Sequence, residues 1–147
     1  TCATCVAFKA RRTTNQAIAF ATSTIVIFNT EDFDRGGNNY DPATGVFTAP
    51  VAGVYLFATQ VRITPLDPGV DYMWSILFVN GAEAVRLGAL FQGSSSSSAG
   101  SVGGSAVLYL NASDTVDMRV YHSYNAGSTA DGATYGYATF FTGARLY

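Results

Sequence analysis

Thr115-Val116-Asp117-Met118-Arg119-Val120-Tyr121-His122 sets Val116, Met118 and Val120 on one face and Asp117, Arg119 and Tyr121 on the other. A period of two belongs to a strand with one buried face and one wet face. Runs rich in β-branched and aromatic residues extend the reading to Val6 to Ala10, Ala17 to Phe20, Thr24 to Phe28, Gly53 to Ile63, Met73 to Val79, Glu83 to Leu90, Ser105 to Leu110 and Thr134 to Leu146. No long apolar segment keeps the helical period of about 3.6 residues, so the chain is expected to be all-β.

The punctuation between these runs is chemically specific. Asn80-Gly81 is a hairpin signal, because both central positions of the favoured turn need positive φ. In Asp41-Pro42-Ala43-Thr44-Gly45 the proline pre-sets the first φ of a turn. The serine tract Ser94 to Ser98, flanked by Gly93 and Gly100, reads as a solvated loop. Asp32 and Asp34 around Phe33 could form a carboxylate pair or a metal loop, but read better as groups that keep an irregular loop solvated. In an antiparallel meander alternate loops share an end of the sandwich. Thr64 to Asp71, Gly88 to Gly104 and Ser123 to Ala133 then lie together, with the Asn80-Gly81 turn and Asn111 at the opposite end, nearer the N-terminus.

Composition narrows the function classes. The 147 residues suit one domain, 48% of them are hydrophobic, and only 12% are charged against roughly 25% in an average soluble protein. So little charge leans toward an oligomer. With Lys+Arg 8 and Asp+Glu 10, the net charge of -2 gives no footprint for nucleic acid; Arg11 and Arg12 read as a solvated strand end. No run of about 18 apolar residues exists, so no membrane-spanning helix is expected. The start at Thr1 suits a processed mature protein or a trimmed one.

Cys2 and Cys5 are the only cysteines. Their C-x-x-C spacing precedes every periodic segment, which weakens a redox reading, and His122 is the lone histidine, which weakens a zinc one. A disulfide within the pair or between subunits is the preferred account. Asn111-Ala112-Ser113 is a glycosylation sequon compatible with secretion.

Residues Asn39-Tyr40-Asp41-Pro42-Ala43-Thr44-Gly45-Val46-Phe47-Thr48-Ala49-Pro50-Val51-Ala52-Gly53-Val54-Tyr55-Leu56-Phe57 closely resemble the signature of the complement C1q globular-head family. The opening Val6-Ala7-Phe8-Lys9-Ala10, the Gly104-Ser105-Ala106-Val107-Leu108-Tyr109-Leu110 strand with Asp114 and Val116 after it, and the closing Thr139-Phe140-Phe141-Thr142-Gly143-Ala144-Arg145-Leu146-Tyr147 resemble it too. Two departures are an extra residue between Phe28 and Tyr40 and Thr59 in place of an aromatic. The resemblance implies a ten-stranded jelly-roll β-sandwich over residues 6–147, after an N-terminal Cys-containing segment 1–5, shared with tumour necrosis factor relatives and assembled as a homotrimer. No Gly-X-Y repeat precedes the domain, so it is similar to the stand-alone soluble members abundant in bivalve molluscs. Some members hold calcium in the loop matching Gly88 to Gly104. Here that loop has no carboxylate, only Gln92, serines and carbonyls, whereas calcium takes roughly six to eight oxygens; the site is expected to be weak or absent, and no cofactor is expected.

Catalysis is not expected, because the lone histidine lacks a nearby cysteine or a placed carboxylate pair. Binding at the shared-end loops is: Asp67, Asp71, Tyr72, His122, Tyr124, Asn125 and Asp131 lie among Ser and Gly, a mixture suited to adaptable recognition. Carboxylate and amide groups bond sugar hydroxyls while an aromatic face covers a pyranose ring. His122 continues the inward parity and suits a half-buried site, and Trp74 suits core or a subunit interface better than a sugar platform. The favoured reading is a secreted, carbohydrate-binding lectin of innate-immune pattern recognition, taking glycans or microbial polysaccharides. The alternatives are a cytokine-like or adaptor ligand for a protein receptor and a structural trimeric surface module.

Overall fold

The computed structural model describes residues 5–64, 72–91, 99–123 and 128–147. Its strand segments are β1 (Ala7–Arg11), β2 (Gln16–Ile18), β3 (Thr24–Ile25), β4 (Thr30–Arg35), β5 (Tyr40–Asp41), β6 (Val46–Thr48), β7 (Gly53–Thr64), β8 (Tyr72–Val79), β9 (Ala82–Phe91), β10 (Gly100–Leu110), β11 (Thr115–His122), β12 (Ser128–Ala130) and β13 (Phe140–Arg145). One sheet runs β2-β12-β7-β13-β1-β4, with β10 on the other edge of β7; the second runs β5-β6-β11-β8-β9, with β3 on β11. All pairings are antiparallel. The two sheets form the jelly-roll sandwich expected from the sequence.

Register fixes the two ends. Ile63 faces Gly100, Thr64 faces Thr129, Met73 faces His122, and Tyr72 faces Phe91, so these strand ends share one end of the sandwich. Gly53 faces Leu110 and Val79 faces Ala82 at the other. That second end carries the Asn80-Gly81 turn, with φ of 51° and 78° as the hairpin requires. Gly45 also has a positive φ, 80°, where its amide donates to the Asp41 carbonyl at 2.8 Å.

The inward residues of each strand build one aromatic core. Phe8, Phe28, Tyr40, Phe47, Tyr55, Phe57 and Phe141 are buried, each ring contributing about 1.5–3 kcal/mol. Phe8 stacks on Tyr40 at 4.9 Å and on Phe47 at 5.1 Å, and meets Phe141 edge-on at 5.0 Å. The Tyr40 hydroxyl donates to the Phe28 carbonyl and accepts from its amide, both at 3.2 Å, so the buried polar atom is satisfied; burial pushes its phenol well above the ordinary range.

Several expectations are corrected. Thr30–Arg35 is a strand paired to β1 and not an irregular loop; Asp34 accepts the amides of Asn39 and Tyr40 at 2.7 and 2.8 Å, and Asp32 pairs with Arg11 and Lys9. Arg12 is not a solvated strand end. Its buried guanidinium donates to the carbonyls of Ile27 and Asn15, tying the segment after β1 to the one before β4. The strand expected over Thr134 to Leu146 is confined to Phe140–Arg145, because residues 134–137 form a turn. Ser128–Ala130, expected within a loop, pairs with β2 and β7. The Ser94 to Ser98 tract lies outside the described residues.

A Cβ added at Gly143 would stand 2.7 Å from ring carbons of both Phe57 and Phe8, closer than carbon atoms pack. Gly143→Ala is therefore expected to lower stability by about 1–3 kcal/mol, read as an earlier urea midpoint at unchanged slope.

Candidate functional site

The strand register places the Tyr72 side chain on the outer face of the six-stranded sheet. Inward positions on β8 are taken by Met73, Ser75 and Leu77, so Tyr72, Trp74, Ile76 and Phe78 point the other way. Tyr121 lies directly across from Trp74 on β11. Tyr72 and Trp74 meet at 6.4 Å with planes 75° apart, and Tyr72 and Tyr121 are 6.1 Å apart at 22°. A hydrogen bond shared with Tyr72 raises the Tyr121 phenol above its ordinary value. The ends of β8 and β11 are locked together: the Tyr72 amide donates to Ser123 Oγ and the Ser123 amide to the Tyr72 carbonyl, both at 3.0 Å.

Two register shifts in β9 supply the charges. Ser75 faces Gly88 but Ile76 faces Arg86, and Leu77 faces Val85 but Phe78 faces Glu83. The extra residue at Ala84 brings Glu83 and Arg86, three positions apart, onto one face, where strict alternation would separate them. Arg86 then donates to both Glu83 carboxylate oxygens, at 2.7 and 3.4 Å, and its guanidinium carbon sits 5.0 Å from the Trp74 ring centroid. Ser23, Tyr72, Trp74, Ile76, Glu83, Arg86 and Tyr121 together line a cavity of about 340 Å³.

The other expected site residues separate. His122 is wholly buried, its Nε2–H donating to the Ile18 carbonyl at 3.0 Å. Asp131 is also buried, 4% exposed; its carboxylate pairs with Arg62 and accepts the Thr134 amide at 3.2 Å. Asp67, Asp71, Tyr124 and Asn125 lie outside the described residues. Cys5 is disulfide-bonded, and Cys2 lies outside the described residues. Trp74 is half-buried on the outer face of its sheet, not in the core. Sequence reasoning missed Glu83 and Arg86, whose shared face depends on a bulge, and left Trp74 and Tyr121 unconnected, although strand parity alone puts both on the wet face.

The opposite face of the sandwich has another character. On the seven-stranded sheet Leu56, Val107 and Tyr109 are 38%, 56% and 67% exposed, with Leu56 across from Val107 and Tyr109 across from Val54. Nearer the opposite end of the same sheet, Tyr135 and Tyr137 are also exposed, the first against the Arg62 guanidinium and the second against that of Arg11. They border a groove of about 690 Å³ that also includes Gln60 and Thr134.

The family model of the C1q domain matches residues 7–144. The chain belongs to the C1q domain family. Among solved structures, this C1q domain is similar to the globular domain of zebrafish complement 1qA protein, at 23% identity over 97% of this chain and 98% of that one, with a TM-score of 0.69. Murine APRIL at pH 8.0 is 15% identical over 97% and 99% of the two chains, with a TM-score of 0.68. Eiger TNF from S. frugiperda is 15% identical over 97% and 92%, with a TM-score of 0.62. At these identities the likeness is one of fold.

Two features of this C1q domain bear on ligands. Among the described residues no group of three or more His, Cys, Asp or Glu is placed to hold a metal ion. The sequon residue Asn111 is exposed in the turn after β10, where its amide donates to Asp114 at 2.7 Å. Because the buried Asp131 carboxylate pairs with Arg62 and accepts the Thr134 amide, Asp131→Ala is expected to cost about 1–3 kcal/mol of stability in urea unfolding.

Proposed function

We propose that this C1q-domain protein is a secreted, homotrimeric lectin of innate-immune recognition, which takes glycans of microbial surfaces at the cavity on the outer face of its six-stranded sheet. The observation that carries the reading is the cavity itself. Trp74, Tyr72 and Tyr121 offer ring faces to the apolar side of a sugar, and Ser23, Glu83 and Arg86 offer donors and acceptors to its hydroxyls. Asp67, Asp71, Tyr124 and Asn125 belong by sequence to the adjoining loops and remain candidate contacts. Asn111, at the end of the sandwich opposite Tyr72, is a candidate glycosylation site.

The trimer is supported by the face that the cavity does not use. Leu56, Val107 and Tyr109 form an exposed apolar patch of the kind monomers cover by association, and a rotation that closes makes such a contact a ring of three. Three copies of one cavity add avidity to weak single contacts.

Binding of the intact protein to immobilised polysaccharides is expected to saturate and to be competed by a free sugar. Trp74→Ala is expected to weaken it about tenfold, equivalent to about 1.4 kcal/mol. Uniform silence from a protein shown to be trimeric would sink the lectin reading and direct the search to protein receptors. Light scattering is expected to give three times the chain mass, and Val107→Glu is expected to shift that mass to the monomer while circular dichroism is retained.

A further inference from the structure

The cavity on the six-stranded sheet holds one positive and one negative side chain beside three aromatic rings, and a neutral sugar would use that pair for hydrogen bonds but leave its charges unmatched. We propose that the cavity selects a zwitterion, a quaternary ammonium linked to a phosphate, as in glycan-borne phosphocholine. The inference rests on the glycan reading for its location and names what that location selects.

Ring geometry is the first argument. A quaternary ammonium cannot donate hydrogen bonds and is held by ring faces that approach it from more than one direction. The Tyr72 and Trp74 planes stand 75° apart at 6.4 Å, making a corner, and Tyr121 extends the Tyr72 side of it. That a cation is welcome here is visible in the structure: the Arg86 guanidinium already rests 5.0 Å from the Trp74 centroid, inside the roughly 6 Å range of the interaction.

Charge is the second. Glu83 and Arg86 neutralise each other, so a ligand with one charge would satisfy one of them and strand the other. A zwitterion satisfies both: phosphate oxygens take the guanidinium fork while the ammonium lies between the ring corner and the Glu83 carboxylate. Opening the pair for this exchange costs little, because both side chains are well exposed, 52% and 41%, and solvated ion pairs are weak. Size is the third. About 340 Å³ lies near the lower limit of small-molecule sites, which suits a head group better than a run of sugar rings.

The test is calorimetric titration of the intact protein with phosphocholine, choline, inorganic phosphate and a neutral hexose, with flotation on dioleoylphosphatidylcholine vesicles as a separate arm. Phosphocholine is expected to bind at least about tenfold more tightly than choline or phosphate alone, and Trp74→Ala and Glu83→Gln are each expected to lose that advantage. Trp74→Phe, which keeps a ring, is expected to restore most of it and guards against a folding defect. Phosphocholine binding no tighter than that of its halves, or binding untouched by both Trp74→Ala and Glu83→Gln, would overturn the proposal. Hexose binding without phosphocholine binding would overturn it too, and would leave the lectin reading standing. Phosphocholine binding with silence from neutral sugars supports it and removes the sugar-stacking reading. Failure to float with vesicles supports a soluble or glycan-borne source, whereas flotation overturns that source in favour of a lipid head group.

Discussion

The Phe8 ring touches both halves of the sandwich, and the spacing of the two sheets depends on it. On one side it stacks against Tyr40 and Phe47 of the six-stranded sheet; on the other it meets Phe57 and Phe141 of the seven-stranded sheet. The contact exists because position 143, on β13 directly across from Phe8 of β1, carries no Cβ. A larger residue there would push the β13 backbone away from the rings. Polar atoms of the ring core find backbone partners: Tyr40 the Phe28 carbonyl, Tyr55 the Val51 carbonyl at 2.7 Å and Thr59 the Phe140 carbonyl at 2.8 Å, whereas the inward Ser75 Oγ and His122 Nδ1 have none among the described residues.

Once the inward positions are committed to this core, parity decides what each sheet shows outside. The seven-stranded sheet turns out Leu56, Val107 and Tyr109; the six-stranded sheet turns out Tyr72, Trp74, Arg119 and Tyr121. One molecule thus has an apolar face and an aromatic, charged face on opposite sides, and association through the first leaves the second open. The extra residue at Ala84 in β9 refines that second face by moving a carboxylate and a guanidinium to the same side of a strand.

Much of the fold was legible because it rests on alternation and turn chemistry. Thr115 to His122 reads as a strand from its period alone, and the Asn80-Gly81 hairpin and the Asp41-Gly45 turn follow from which residues tolerate positive φ. What alternation could not reveal is where it breaks. Thr30–Arg35 is too charged to read as a strand, yet it pairs with β1 because its aspartates find Arg11, Lys9 and two backbone amides. The inward parity of His122 was legible, but the partners that hold His122 and Asp131 in the fold, the Ile18 carbonyl and Arg62, are distant in sequence. Among the described residues, the cavity shares only Tyr72 with the expected site, and Glu83 and Arg86 meet across a bulge that no local pattern announces.

Strand β4 lies at the edge of its sheet, and four of its six residues, Glu31, Asp32, Asp34 and Arg35, are charged. In a chain with so few ionic groups, that concentration falls where an open row of amides and carbonyls would otherwise invite a second molecule to add a strand. A strand added at such an edge would have to bring its own charges against these, so sheet-by-sheet growth into fibrils is disfavoured at this side of the molecule.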